Sequence, residues 1–132
     1  MKISIIGGGI AGLTAGIALR QFGFDATVYE SAPILKPVGA GIVLAQNALT
    51  AYDYLGIGDV IRREGIELQN AQVTDQNGKP FQKSLDFITG YCIHRAKLHH
   101  VLFQTIGADN VVLGKRLSKI EQIEDKVMEL KS

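Results

Sequence analysis

The residues whose types and spacing could do chemistry here are a glycine cluster and one acid. Gly7-Gly8-Gly9-Ile10-Ala11-Gly12 forms a G-x-G-x-x-G pattern, and Glu30 follows 18 residues after Gly12. A turn of this kind holds a diphosphate. Gly7 permits a tight passage from strand to helix. Gly9 has no side chain, so phosphate oxygens can approach the backbone amides. Gly12 lets the following helix pack closely on a sheet. Gly16 continues that bare face one turn on. Unpaired amides and the positive end of the helix dipole then face the pyrophosphate. Glu30 can accept hydrogen bonds from a ribose 2′-hydroxyl, and its charge would repel a 2′-phosphate. The pattern therefore predicts an ADP-containing dinucleotide, held by Gly7, Gly9, Ala11, Gly12 and Glu30. FAD and NAD both carry ADP, and the turn does not choose between them.

The remaining reactive residue types carry no convincing site. His94, His99 and His100 could suggest metal ligands, but His99 and His100 are neighbours and point about 100° apart on a helix. No carboxylate or cysteine completes a ligand spacing, so no metal is expected. Cys92, the single cysteine, lies in an apolar run and reads as a small core residue. Tyr52 and Tyr54 read as packing or surface residues. No catalytic acid, base or nucleophile is identified.

These residues need elements to position them. Lys2 to Ile6 reads as a buried parallel strand, Ile10 to Phe22 as a helix stopped by Gly23, and Asp25 to Glu30 as a second strand. Together they make a βαβ unit, the context that gives the glycine pattern its weight. Ser31 to Gly41, with Pro33, Pro37, Gly39 and Gly41, reads as a loop. Ile42 to Leu44 is a short strand. Asn47 to Leu55 is a helix with Asn47 as its N-cap, and Ile57 to Glu64 a second helix closed by Gly65. From Ile66 the pattern turns to strand, and Asn77-Gly78 marks a hairpin between Gln72–Asp75 and Pro80–Gln82. Tyr91 to Ile93 is a strand, Ala96 to Ile106 a helix and Asn110 to Leu113 a strand. The end is ambiguous: Leu117, Ile120, Ile123, Val127 and Leu130 recur at helical spacing, yet the stretch also divides into two strands around Glu124-Asp125-Lys126.

Composition narrows the function classes. The 132 residues fit one domain with a real core, and 46% are hydrophobic. Fifteen are glycine, well above the usual ~7%. Net charge is +1 with both signs interspersed, which argues against nucleic-acid binding by phosphate neutralisation. No apolar run approaches the ~20 residues needed to span a bilayer, and no signal-peptide pattern follows Met1. With one cysteine there is no internal disulfide, and a cytoplasmic location is expected.

Three further blocks carry a resemblance. They are GAGIVLAQNALTAYDYLGI from Gly39 to Ile57, Ile93-His94-Arg95-Ala96-Lys97-Leu98, and Asn110-Val111-Val112-Leu113-Gly114. With the βαβ unit, they make the chain resemble the N-terminal part of the FAD-dependent aromatic-ring hydroxylases related to p-hydroxybenzoate hydroxylase. The resemblance implies an α/β fold: a Rossmann-like βαβ FAD/NAD(P)-binding fold with a parallel sheet, a β-hairpin insertion and C-terminal antiparallel strands at Arg116–Ile123 and Val127–Lys131. It implies FAD as cofactor, with Gly41 and Ile42 in a loop near it and Arg95 reaching its phosphate or ribityl region. A guanidinium suits that task, being always charged and rich in donors. In full-length relatives NAD(P)H would reduce the flavin, which would then use oxygen to hydroxylate a small organic substrate.

The sequence departs from the family's pattern in places. Ser31 stands where an arginine often follows the ribose-binding acid, and Gln46-Asn47-Ala48 where Pro-Asn-Ala is common. A second FAD motif, a later Gly-Asp block and the substrate-pocket sheet are absent from these 132 residues. Residues 1–132 are therefore expected to form a single FAD-binding domain fragment without its substrate domain, inactive alone and prone to self-association through uncovered surface. Two other readings stay open: an NAD-binding module without flavin chemistry, and a non-catalytic remnant that binds no cofactor.

Overall fold

A computed structural model describes residues 1–35, 39–69, 74–80, 90–122 and 128–131. In chain order the elements are β1 (Lys2–Ile6), α1 (Ile10–Gln21), β2 (Asp25–Tyr29), β3 (Gly41–Ala45), α2 (Gln46–Tyr54), α3 (Gly58–Glu64), β4 (Ile66–Leu68), β5 (Gly90–His94), α4 (Arg95–Ile106), a 3-10 turn (Ala108–Asn110), β6 (Val111–Val112), β7 (Lys119–Gln122) and β8 (Met128–Lys131). They divide into two units, Met1–Pro37 with His99–Ser132, and Val38–Leu98.

The first unit is built on the βαβ motif. β1 and β2 run parallel, in register from Lys2↔Asp25 to Ile6↔Tyr29. The short β6 pairs in parallel with the other side of β2, giving the order β1-β2-β6. Leu13 and Ile17 of α1, Ala26 and Val28 of β2, and Val101, Leu102 and Ile106 of α4 are buried here. Close approach depends on Gly16. A side chain there would press on Ile106 Cδ1 at 2.5 Å and Val28 Cγ2 at 3.0 Å. β1 itself is less buried than its apolar sequence predicts. Ile3 and Ile5 are half-buried and Ile6 is 47% exposed. The reason is its place at the sheet's edge, with a partner strand on one side only among the described residues.

Several boundaries differ from the sequence reading. α1 ends at Gln21, with Phe22 as its C-cap and Gly23 beyond it at φ 83°. Asn110 does not begin a strand. It ends the 3-10 turn, donating its amide N–H to the Gly107 carbonyl at 3.0 Å and its side-chain N–H to the Ile106 carbonyl at 2.7 Å. Asparagine's side chain competes for backbone partners in this way and favours turns over strands. The terminal ambiguity resolves as strands, with β7 and β8 antiparallel from Lys119↔Lys131 to Gln122↔Met128. Ile123 and Val127 lie outside the described residues.

The second unit is an antiparallel sheet with helices. β5 is central, flanked by β3 and β4. Leu44, Leu49, Tyr52, Ile57, Ile61, Ile93 and Leu98 form its buried apolar set. α2 and α3 are joined by a bidentate pair, Arg62 Nη1 to Asp53 Oδ1 at 2.5 Å and Nη2 to Oδ2 at 2.7 Å. Asn47 is not the N-cap of α2. Ala45 holds that position, and Asn47 sits inside the first turn, where its Oδ1 accepts from the Ala48 amide at 2.9 Å. The hairpin signal is real but its turn is longer than the two residues Asn77-Gly78. Thr74 bridges Pro80, the Asp75 amide donates to the Lys79 carbonyl at 2.7 Å, and Gly78 takes φ 79°. That is a three-residue loop closed by a left-handed glycine. The expected flanks Gln72-Val73 and Phe81-Gln82, and Pro37 of the preceding loop, lie outside the described residues. No helix among the described residues is long and apolar enough to cross a membrane.

Candidate functional site

The glycine turn joins β1 to α1 as its spacing predicts. Gly7 has φ 106°, a conformation that side chains rarely adopt, and its amide donates to the Tyr29 carbonyl at 2.8 Å. The turn is thus tied back to β2. Gly9 is the N-cap of α1, and its carbonyl accepts from Leu13 at 3.0 Å, the first intrahelical bond. The amides from Gly9 to Gly12 precede that bond, so the helix offers them no carbonyl. No acidic side chain stands in the first turn of α1 to compete for them.

Three glycines test whether the turn fits a diphosphate. A side chain at Gly12 would run into the Gly7 carbonyl oxygen, so the helix start lies directly on the turn. One at Gly9 would meet nothing within 4 Å, and one at Gly7 likewise. The helix start is therefore packed on its inner side and open at Gly9. Open space bordered by unpaired amides, with Ala11 the only side chain between Ile10 and Gly12, is a cradle that a phosphate can fill and a Cβ would block.

Glu30 stands just past β2, at the edge of this turn. Its Oε2 accepts from the Gly8 amide at 2.7 Å and its Oε1 from the Ala32 amide at 2.8 Å, while the Ser31 hydroxyl donates to Oε1 at 3.1 Å. The Ala32 amide first, and the Gly8 amide second, hold its carboxyl below the usual carboxylate range, against a smaller opposing effect of burial. The acid is thus ionised and oriented. A carboxylate offers about four lone-pair directions, and these three bonds leave capacity for one more donor such as a ribose hydroxyl.

Sequence reasoning missed two contacts of this turn. Gly8 occupies a variable position of the pattern, yet it is buried, and a side chain there would press on Glu30 Cβ at 2.9 Å. Its carbonyl meets His99 Nε2 of α4 at 2.6 Å. No local signal could reveal that contact, since 91 residues separate the partners. Among the described residues no cluster of histidine, cysteine, aspartate or glutamate could hold a metal. Cys92 lies half-buried in β5.

The other predicted residues lie in the second unit. Gly41 begins β3 opposite His94, and Ile42 opposes Ile93. Gly41 therefore belongs to a strand, not to the preceding loop. Arg95 is the first residue of α4, and its amide donates to the Ala40 carbonyl at 3.1 Å. Gly39, at φ 134°, lies against its side chain; a Cβ there would stand 3.0 Å from Arg95 Cβ and Cδ. Gly39, Gly41, Ile42 and Arg95 thus form one neighbourhood, and Gly7, Gly9, Ala11, Gly12 and Glu30 another.

Known proteins resemble this chain in sequence and in fold. A family model described as an NAD(P)-binding Rossmann-like domain matches residues 5–35. The chain is 37% identical over 132 residues to aurachin C monooxygenase/isomerase of Stigmatella aurantiaca, covering 95% of this chain and 34% of that protein. It is 36% identical over 135 residues to the FAD-dependent urate hydroxylase of Klebsiella pneumoniae, covering 96% and 35%. Among solved structures, Klebsiella pneumoniae HpxO complexed with FAD and uric acid superposes with a TM-score of 0.80 at 32% identity, covering 95% of this chain and 33% of that one. The chain spans about a third of the length of the curated relatives it matches. In sequence and in fold, it matches the N-terminal FAD-binding portion of the FAD-dependent monooxygenases.

Proposed function

We propose that residues 1–132 are the FAD-binding part of a flavoprotein monooxygenase. The observation that carries this reading is the phosphate turn with Glu30 fixed at its edge. In this assignment the amides at Gly9, Ala11 and Gly12 receive the pyrophosphate, Gly7 shapes the turn, and Glu30 accepts from the adenosine ribose. Arg95, braced by Gly39, supplies a cation for the phosphate or ribityl region, with Gly41 and Ile42 at the start of β3 beside the cofactor. Hydride acceptance from NAD(P)H and activation of oxygen are the chemistry that bound FAD supplies. This chain's own residues bind and orient the cofactor, and none of them is assigned an acid, base or nucleophile.

Hydroxylation of a small organic substrate, an aromatic one by analogy with relatives such as 3-hydroxybenzoate 6-hydroxylase of Polaromonas naphthalenivorans, is the activity proposed for the longer arrangement in which the relatives work. A cytoplasmic setting suits the lone cysteine. The NAD(P)-binding description of the model over residues 5–35 favours a second reading, a module that holds NAD without flavin chemistry. Titration of the purified chain with FAD and with NAD, followed by its visible spectrum, separates the two. A yellow protein whose FAD binding is lost in Glu30→Ala supports the flavin reading. NAD binding without FAD binding rejects it, and binding of neither leaves a fold that has no cofactor.

A further inference from the structure

We propose that His99 is the positioning residue of the phosphate turn, aiming the Gly9 amide at the diphosphate by holding the Gly8 carbonyl. The proposal rests on the cofactor reading above and names a residue which that reading does not use. The Nε2 to Gly8 oxygen distance is 2.6 Å. A carbonyl oxygen can only accept, so Nε2 must carry the hydrogen. His99 is therefore the Nε2–H tautomer, or the imidazolium, in this contact.

The consequence follows from peptide geometry. The Gly8 carbonyl and the Gly9 amide belong to one planar trans peptide, in which C=O and N–H point in opposite directions. Fixing the oxygen on His99 directs the Gly9 N–H away from α4. The space at Gly9 is open, with nothing within 4 Å of where a side chain would begin. Both flanking residues are glycine, whose backbone has the widest conformational freedom. Unrestrained, this peptide can turn over and present its oxygen to the phosphate, which would repel it. Two side chains from different elements prevent that. Glu30 holds the Gly8 amide at 2.7 Å, and His99 holds the Gly8 carbonyl. The Gly8 backbone is gripped at both of its polar groups before any ligand arrives, and a pre-set donor spends less affinity on ordering.

Four chains test this: wild type, His99→Ala, His99→Gln and, as control, His100→Ala, which changes an exposed neighbour. FAD and ADP affinities are measured by calorimetry. Losing one neutral hydrogen bond predicts about a five- to tenfold weaker Kd for both ligands in His99→Ala. His99→Gln, with a side-chain amide donor, should recover most of the loss, and His100→Ala should match wild type. Equal affinities in wild type and His99→Ala, or a Gln variant no better than Ala, would overturn the proposal. If His99→Ala does not fold, the Gln variant and a ligand-free measurement decide. Nitrogen-15 NMR of the wild-type imidazole should then find the hydrogen on Nε2; a neutral ring protonated at Nδ1 contradicts the contact. Wild type that binds neither FAD nor ADP defeats the cofactor reading instead, and the tautomer still reports on the His99–Gly8 bond by itself.

Discussion

Glu30 is held by two backbone amides, and pH tests what its charge contributes there. Its carboxylate closes the turn internally by accepting from the Ala32 and Gly8 amides, and the proposed function also gives it the ribose to bind. Those amides lower its folded pKa below the ordinary value of 4.5. A group with a depressed folded pKa adds stability that is fully present above its unfolded pKa. That stability is lost as the pH falls through the folded value. Wild type should therefore exceed Glu30→Gln in urea midpoint near neutral pH, and the gap should close on acidification below about 4.5. A gap that stays constant into strong acid would show that the charge on Glu30 is not what the amides stabilise. Of this site, the sequence makes Gly7, Gly9, Gly12 and Glu30 legible, because their roles follow from spacing along one βαβ unit. The Gly8–His99 contact is illegible for the opposite reason: it depends on how α4 packs 91 residues away.

At the scale of elements, the glycines of α1 separate packing from binding. A side chain at Gly16 meets the flexible end of Ile106 and the Val28 methyl. Gly16→Ala should cost about 1–3 kcal/mol in chemical denaturation, the usual range for overfilling a packed contact. Gly12→Ala strikes the Gly7 backbone carbonyl, which cannot rotate aside, and should destabilise at least as much. Gly9→Ala touches nothing, and its φ of −75° is open to any residue. Its stability should stay within ~0.5 kcal/mol of wild type while FAD affinity collapses, because the new methyl would take the place that the proposed function gives to the phosphate. Gly9→Ala that binds FAD like wild type would remove the diphosphate from this turn. Elements that obey local rules, such as β2, α3 and β5, can be read from the chain alone. The end of the chain cannot. Leu117, Ile120 and Leu130 have helical spacing, but β7 and β8 form by pairing with each other, and cross-strand pairing leaves no trace in one-dimensional periodicity. Asn47 misled for a related reason: asparagine marks helix starts and turns equally well, and only the neighbouring backbone decides which.

At the scale of the whole molecule, the parallel sheet bears on the expected behaviour in solution. Among the described residues β1 and β6 each pair only with β2, so β1 presents one edge of unpaired amides and carbonyls. Parallel sheets are ordinarily covered on both faces, and an unprotected edge strand is a template for another strand. Beside this edge Ile6 is 47% exposed, and elsewhere on the same unit Phe22 is 80% and Ile34 66% exposed. A net charge of +1 provides little repulsion between copies. We therefore expect the chain by itself to associate, with the apparent mass in sedimentation velocity rising with concentration. A lysine in the edge strand should suppress this, since a charge there must be desolvated for two edges to meet. Ser4 suits the substitution because it is exposed, lies at the middle of β1 and is not part of the turn. Ser4→Lys should remain monomeric where wild type associates, with its urea midpoint unchanged. Wild type that stays monomeric throughout, or a Ser4→Lys variant that associates equally, would mean that the β1 edge is not the contact.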